Sequence, residues 1–367
     1  KLLLKIILWI LVIGFIGWGG YFIYQTFFAG TVAVPATTQV AKNKNTATNT
    51  AVASLIKIVS QNEAFSYFIN SKTSAIYLVG KDGQIFKTLG EGQPTENVNK
   101  QTLPNLNSVV ASGDGTKLVS VFNYPLAPVV AIYDTSTNTW ERLPENTLAA
   151  AFDLESKKIA YLRRTTTGGE LNILDLTSKK ATKIMNLTVA DGNLNWQTKD
   201  EIILSQKPTG ILSSDSWLVN ISKKTISKLT GSAESIMSLY GNAVYGLKLA
   251  KVGAKQDLKL FLTTPNGIEL AILPFVTVPS KCAFTEKYLY CAVPSEYPNG
   301  IKLPDDYLKH KFYSLDSIVK VDLDTLYPTT LADTLDIQVD AEQLKISGEK
   351  LMFLNRYDQK VYSLNIK

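Results

Sequence analysis

Histidine and cysteine, the residues most used in metal binding and nucleophilic catalysis, are scarce. The chain of 367 residues has one histidine, His310, and two cysteines, Cys282 and Cys291. Zinc-type sites assemble several nitrogen, sulfur or carboxylate ligands, and a hydrolytic nucleophile needs a base at hydrogen-bond distance. A lone histidine without companions supplies neither. There is no G-x-x-x-x-G-K-S/T loop, no G-x-G-x-x-G after a strand and no G-x-S-x-G elbow. Asp305 and Asp306 are adjacent, so their carboxylates diverge, and no further ligand accompanies them as cation binding or paired acid/base work would need. The expectation is therefore no catalytic residue, no metal, no cofactor and no enzymatic activity.

What the cysteines can do is close a bridge. They flank a predicted two-residue turn at Glu286 and Lys287, which puts them opposite one another on antiparallel strands, where Cα atoms approach to ~4.5 Å and a disulfide is geometrically allowed. A bridge fits an exported body; two buried thiols in a reducing compartment are the alternative. His310 falls in the segment that follows, 294–315, with Tyr297, Asp305, Asp306, Tyr307, Phe312 and Tyr313. This aromatic and proline-rich set is suited to a protein contact and is the expected partner-binding loop.

The elements that position these residues begin with a membrane segment. Residues 6–24 contain no charge, and the uncharged stretch runs on to residue 41. A helix at ~1.5 Å per residue over residues 6–28 is about long enough for a ~30 Å hydrocarbon core. Lys1 and Lys5 precede it and the next charges are Lys42 and Lys44, which favours a cytoplasmic N-terminus and an extracytoplasmic body. Trp9, Trp18, Tyr21 and Tyr24 are the expected anchors, and Gly17, Gly19 and Gly20 could allow helix packing. A signal peptide would have a shorter apolar core, and a pilin-like helix usually carries Glu where this chain has Lys5. The expected organisation is a single-pass helix over 1–29, a Thr/Ala/Asn-rich flexible stalk over 30–53 and a folded body over 54–367, with the lipid bilayer as one partner. The net charge of +6 is spread over scattered lysines, so no nucleic-acid partner is expected.

The body repeats. Two short alternating strands joined by a turn recur as AIYLVGKDGQIFKTLG from Ala75, VAIYDTSTNTWERLP from Val130, LNILDLTSKKATKIMNL from Leu171, WLVNISKKTISKLTG from Trp217, LFLTTPNGIELAILPF from Leu260, IVKVDLDTLYPTTLAD from Ile318 and KVYSLNIK from Lys360. With Tyr77, Ile132, Ile173, Leu218, Phe261, Val319 and Tyr362 as equivalents, the intervals are 55, 41, 45, 43, 58 and 43 residues. Most lie near the ~40–45 residues of a four-stranded propeller blade. A second alternating pair stands upstream of most hairpins. The fold expected is an all-β, seven-bladed β-propeller, with six irregular units as the alternative. The last unit lacks its outer strand, and LIKIVSQ from Leu55 can supply it and close the ring.

This pattern resembles the TolB-like and WD40-like propeller repeats of bacteria: Ser112-Gly113-Asp114-Gly115 stands where that repeat has Ser-Pro-Asp-Gly, and IYDTSTNTWERLP is similar to its strand-turn-strand half. KCAFTEKYLYCAVPSEYPNGIKLPDDY resembles an element of uncharacterised membrane-anchored propellers of candidate-phylum bacteria, a likeness that implies no activity. In a propeller, the loops between second and third strands share a face with the blade-to-blade connections. Here they read as long at 123–128, 164–170, 207–216, 250–256 and 294–315, and long loops gathered on a rigid scaffold mark a binding surface. The reading is a membrane-anchored scaffold that holds an envelope or surface protein on this face. The alternative is a glycan-binding sensor or hydrolase with its site at the central channel mouth. Self-association through Gly17, Gly19 and Gly20 stays open.

Overall fold

Strands with small and apolar residues facing both neighbours, such as the Ala149-Ala150-Ala151 run and Ile159 to Leu162, cannot bury both faces in a single sheet, so blades stack around an axis. The computed structural model describes residues 55–210, 214–229, 234–240, 244–254, 256–334 and 337–366. They form seven antiparallel four-stranded sheets, each in consecutive strand order except the last. The expected membrane helix with Trp9, Trp18, Tyr21 and Tyr24, and the stalk, lie outside the described residues. Among the described residues no helix is long and apolar enough to cross a membrane.

The ring closes as the sequence implies. Blade seven takes three strands, Ala341–Ser347, Lys350–Asn355 and Lys360–Asn365, from the C-terminal end and its outer strand, Ile56–Ile58, from the start of the body. Ile56 pairs with Leu364 and Ile58 with Tyr362, so the last blade has no unfilled outer position. The core is laid down between blades rather than inside one. One cluster joins Phe68, Tyr77 and Ile85 of blade one to Leu118 and Tyr133 of blade two; another joins Leu247 and Leu260 of blade five to Leu289 and Val321 of blade six.

Two details differ from the sequence expectation. Blade one is displaced by a strand: its innermost strand is Ser66–Ile69, and the Ala75 hairpin supplies its second and third strands, Ile76–Val79 and Ile85–Thr88. The residue equivalent to Ile132 is thus on the Phe86 strand, 46 residues earlier (132 less 86), and the anomalous interval of 55 measured from Tyr77 disappears. The interval of 58 is real, because blade six carries residues 295–315 between its second and third strands. The long-loop set is also smaller. In blade three the strands run on to Thr165 and resume at Gly168, pairing across a tight turn, and in blade five they run from Val252 to Asp257. Loops of length remain in blades two, four and six.

The Ser112-Gly113-Asp114-Gly115 turn is built as its chemistry requires. Ser112 and Thr116 hydroxyls both donate to Asp114 Oδ1 at 2.8 Å. Gly115 has φ of +63°, and a Cβ there would stand 1.9 Å from the Ile69 carbonyl oxygen of blade one. Only glycine allows that contact between neighbouring blades.

Candidate functional site

The residues that converge are on the long-loop face above blades six and seven, and most are charged. Lys281 ends a 3₁₀ turn before the first strand of blade six, Asp316 opens that blade's third strand, Asp340 precedes the first strand of blade seven, and Arg356 follows its second. Propeller topology brings all four of these positions to one face. The Lys281 ammonium donates to Asp316 Oδ2 at 2.7 Å, Asp340 Oδ1 at 2.8 Å and Ser314 Oγ at 2.8 Å, which uses its three hydrogens. Arg356 Nη1 bonds Asp340 Oδ2 at 2.9 Å. Backbone amides of Ser314 and Ala341 donate to Asp340 and Asp316. Lys281, Asp316, Asp340 and Arg356 are all at most 3% exposed.

This network fastens the blade-six insertion. Arg356 Nη2 donates to the Tyr307 carbonyl and to His310 Nδ1, both at 3.1 Å, and its guanidinium lies 4.2 Å from the Tyr307 ring centroid. The insertion turns through a short helix, Asp305–Leu308. Burial raises the carboxyl pKa of Glu342, whose Oε2 is 3.8 Å from Arg356 Nε, and that of Asp316, where Asp340 adds to the effect. Although His310 is in part solvent-exposed, the desolvation of its buried part lowers its pKa, and the Arg356 charge lowers it further.

The residues expected to form a partner-binding loop divide. Tyr307 is buried in the core shared by blades five and six, with Tyr297 and Phe312 packed against it. Asp305 Oδ1 accepts from the Gly210 amide at 2.7 Å, and the Gly210 carbonyl accepts from Lys251, so the insertion also ties to blades four and five. Asp306 accepts from the Lys302 amide and pairs with Lys311 at 2.9 Å. Tyr313 and His310 remain toward solvent, and the Tyr313 ring stacks on Tyr357 of blade seven at 5.2 Å. Among the described residues no group of three or more His, Cys, Asp or Glu could hold a metal ion. The two cysteines are bonded, paired directly across the first two strands of blade six with Cα atoms 4.1 Å apart.

Lys281, Asp316, Asp340, Glu342 and Arg356 were not legible as a group. Each adjoins a strand end on the long-loop side, and that placement is the one sequence signal that could have gathered them; their pairing needs the ring.

Among the described residues the opposite half of the face is open. Between blades two, three and four lies a cavity of about 390 Å³ lined by their innermost strands, the second strand of blade two, and Tyr124 and Lys207 from loops. At its edge the Tyr124 hydroxyl donates to Asp191 Oδ2 at 2.5 Å, Lys207 pairs with Asp191 at 3.0 Å, and the Lys207 ammonium stands 3.3 Å from the Tyr124 ring centroid.

No protein-family model matches this chain, and no curated protein does. Solved structures do, through the fold. The structure of U3-55K matches at a TM-score of 0.56 with 13% identity, over 85% of this chain and 99% of that one. An oligogalacturonate lyase in complex with manganese matches at 0.58 with 10% identity, over 85% and 91%. The tricorn protease matches at 0.53 with 15% identity, over 85% of this chain, which spans only 34% of the protease. TolB of Acinetobacter baumannii is also among the matches, at a TM-score of 0.35. The class is thus a seven-bladed β-propeller of a fold that a protease and a lyase also use. That corrects one expectation: scarcity of histidine and cysteine motifs led to a chain without enzymatic activity, and a fold shared with named enzymes removes the ground for excluding catalysis.

Proposed function

We propose that this chain is a membrane-anchored propeller presented outside the cytoplasm, whose long-loop face holds an envelope or surface protein at the blade-six insertion. The observation that carries the reading is the buried Lys281–Asp340–Arg356 network beneath the insertion. A loop of this length without such fastening would lose conformational entropy on binding; one already tied to blades four to seven presents its surface preorganised. Tyr313 and Tyr357, each 39% exposed and stacked on one another, offer the rigid aromatic area that protein contacts favour. The Cys282–Cys291 bridge is in keeping with an oxidising compartment, and the charge-free segment over residues 6–24 with Lys1 and Lys5 before it supports the orientation.

The test is capture from crosslinked membranes, comparing the wild type with Tyr313→Ala/Tyr357→Ala and with a chain lacking residues 295–312. A partner crosslinked by the wild type is expected to be lost from both variants while thermal unfolding of the double variant stays near that of the wild type. Unchanged crosslinks in both variants would overturn the proposal.

A further inference from the structure

The cavity between blades two, three and four is separate from the insertion, and its chemistry is of a different kind. It opens among the starts of the three innermost strands, on the long-loop side of the channel wall. Its volume, about 390 Å³, is within the range of small-molecule sites. One wall is apolar: Val110, Val121 and Leu194. Ala149 and Ala150 stand where larger side chains would fill the space.

Besides Tyr124 and Lys207, the polar side chains are two amides and a hydroxyl. Ser108 and Asn193 are exposed, and neither side chain has a hydrogen-bond partner among the described residues. Asn107 accepts from the Tyr124 amide through Oδ1, which holds its orientation and leaves its two N–H donors unused among the described residues. Planar amides that offer a donor and an acceptor together match vicinal hydroxyls, and an adjacent apolar wall matches the C–H face of a pyranose ring. The only charge in the lining is Lys207, and Asp191 already neutralises it. An anionic ligand placed against Lys207 would also face the Asp191 carboxylate, so the site disfavours acids.

From this arrangement we infer that the cavity is a binding site for a neutral sugar unit, held by Asn107, Ser108 and Asn193 against the apolar wall. This goes beyond the protein contact proposed above and stands whether or not the insertion holds a partner.

Saturation-transfer NMR with the purified full-length chain tests it, using glucose, galactose, N-acetylglucosamine and galacturonate as probes. At least one neutral sugar is expected to receive saturation and galacturonate none. Ser108→Tyr, which fills the cavity from a strand position that tolerates tyrosine, should abolish the signal, and Asn193→Ala should weaken binding about tenfold. If Ser108→Tyr lowers the unfolding temperature, Asn193→Ala, an exposed truncation, decides alone. Absence of binding by every neutral probe, a preference for galacturonate, or binding unaltered by Asn193→Ala would each overturn the inference.

Discussion

One face of this propeller is finished in two ways. Above blades six and seven, residues 295–315 lie over a charged network shut away from water, whereas among blades two to four the described residues leave a cavity with solvated polar groups. The same backbone arrangement underlies both halves. What differs is the length of one loop and the four charges that hold it, so a propeller can seal one sector of its face and leave another open without altering a blade.

The comparison can be broken most directly at Asp340. Removing one member of a buried network strands the remaining charges, so Asp340→Ala should destabilise by about 3–5 kcal/mol. On the open side Lys207→Met breaks a half-exposed pair with Asp191 and should cost under about 1 kcal/mol. Urea midpoints of the two variants measure the contrast, and comparable losses would erase the distinction between the sealed and the open sector.

Reduction of the Cys282–Cys291 bridge comes next. It closes a short loop, with a sequence separation of 9, so reduction should lower stability by about 2 kcal/mol without changing the fold. Denaturation with and without dithiothreitol reads this directly, and far-ultraviolet circular dichroism checks that the blades persist.

The pH dependence of the sealed sector is smaller and has a definite sign. His310 accepts a hydrogen bond from Arg356, and its pKa in the folded chain is lowered by burial and by that charge. The folded state therefore binds fewer protons there than the unfolded state, and the His310 contribution is present above the unfolded value of about 6.5 and lost as pH falls below it. Thermal unfolding of the wild type minus that of His310→Gln should thus be larger at pH 8 than at pH 5. The raised carboxyls of Glu342 and Asp316 act in the opposite sense, since their stabilising protonated forms are lost as pH rises, and subtraction of the variant removes them. A difference that does not vary with pH would detach His310 from the network.

Much of the ring was legible because blade repeats are local. Period-two alternation and recurring turns identify strands over a few residues, and the missing outer strand of blade seven was apparent because a repeat shows its own gaps. Blade one was misphased because Ser66–Ile69 and Glu96–Asn99 are only four residues each and Glu96–Asn99 has a single apolar side chain, Val98, so neither carries a strong alternating signal. The candidate site was legible only in part. The insertion stood out by composition, but composition does not say which side of an aromatic ring meets solvent, and Tyr307 proved to be buried while Tyr313 stayed accessible.

Sequence by itself determined the seven-unit ring, its closure from Leu55 onward and the cysteine pair, since strand periodicity and facing positions across a turn depend on neighbours a few residues away. Tertiary structure alone decided that Lys281, Asp316, Asp340 and Arg356 form one network, and that Asn107, Ser108 and Asn193 surround one cavity. Those groups are tens of residues apart and come together only when strand starts and ends from successive blades are gathered on a common face, where burial and desolvation, rather than local pattern, set what each charge can do.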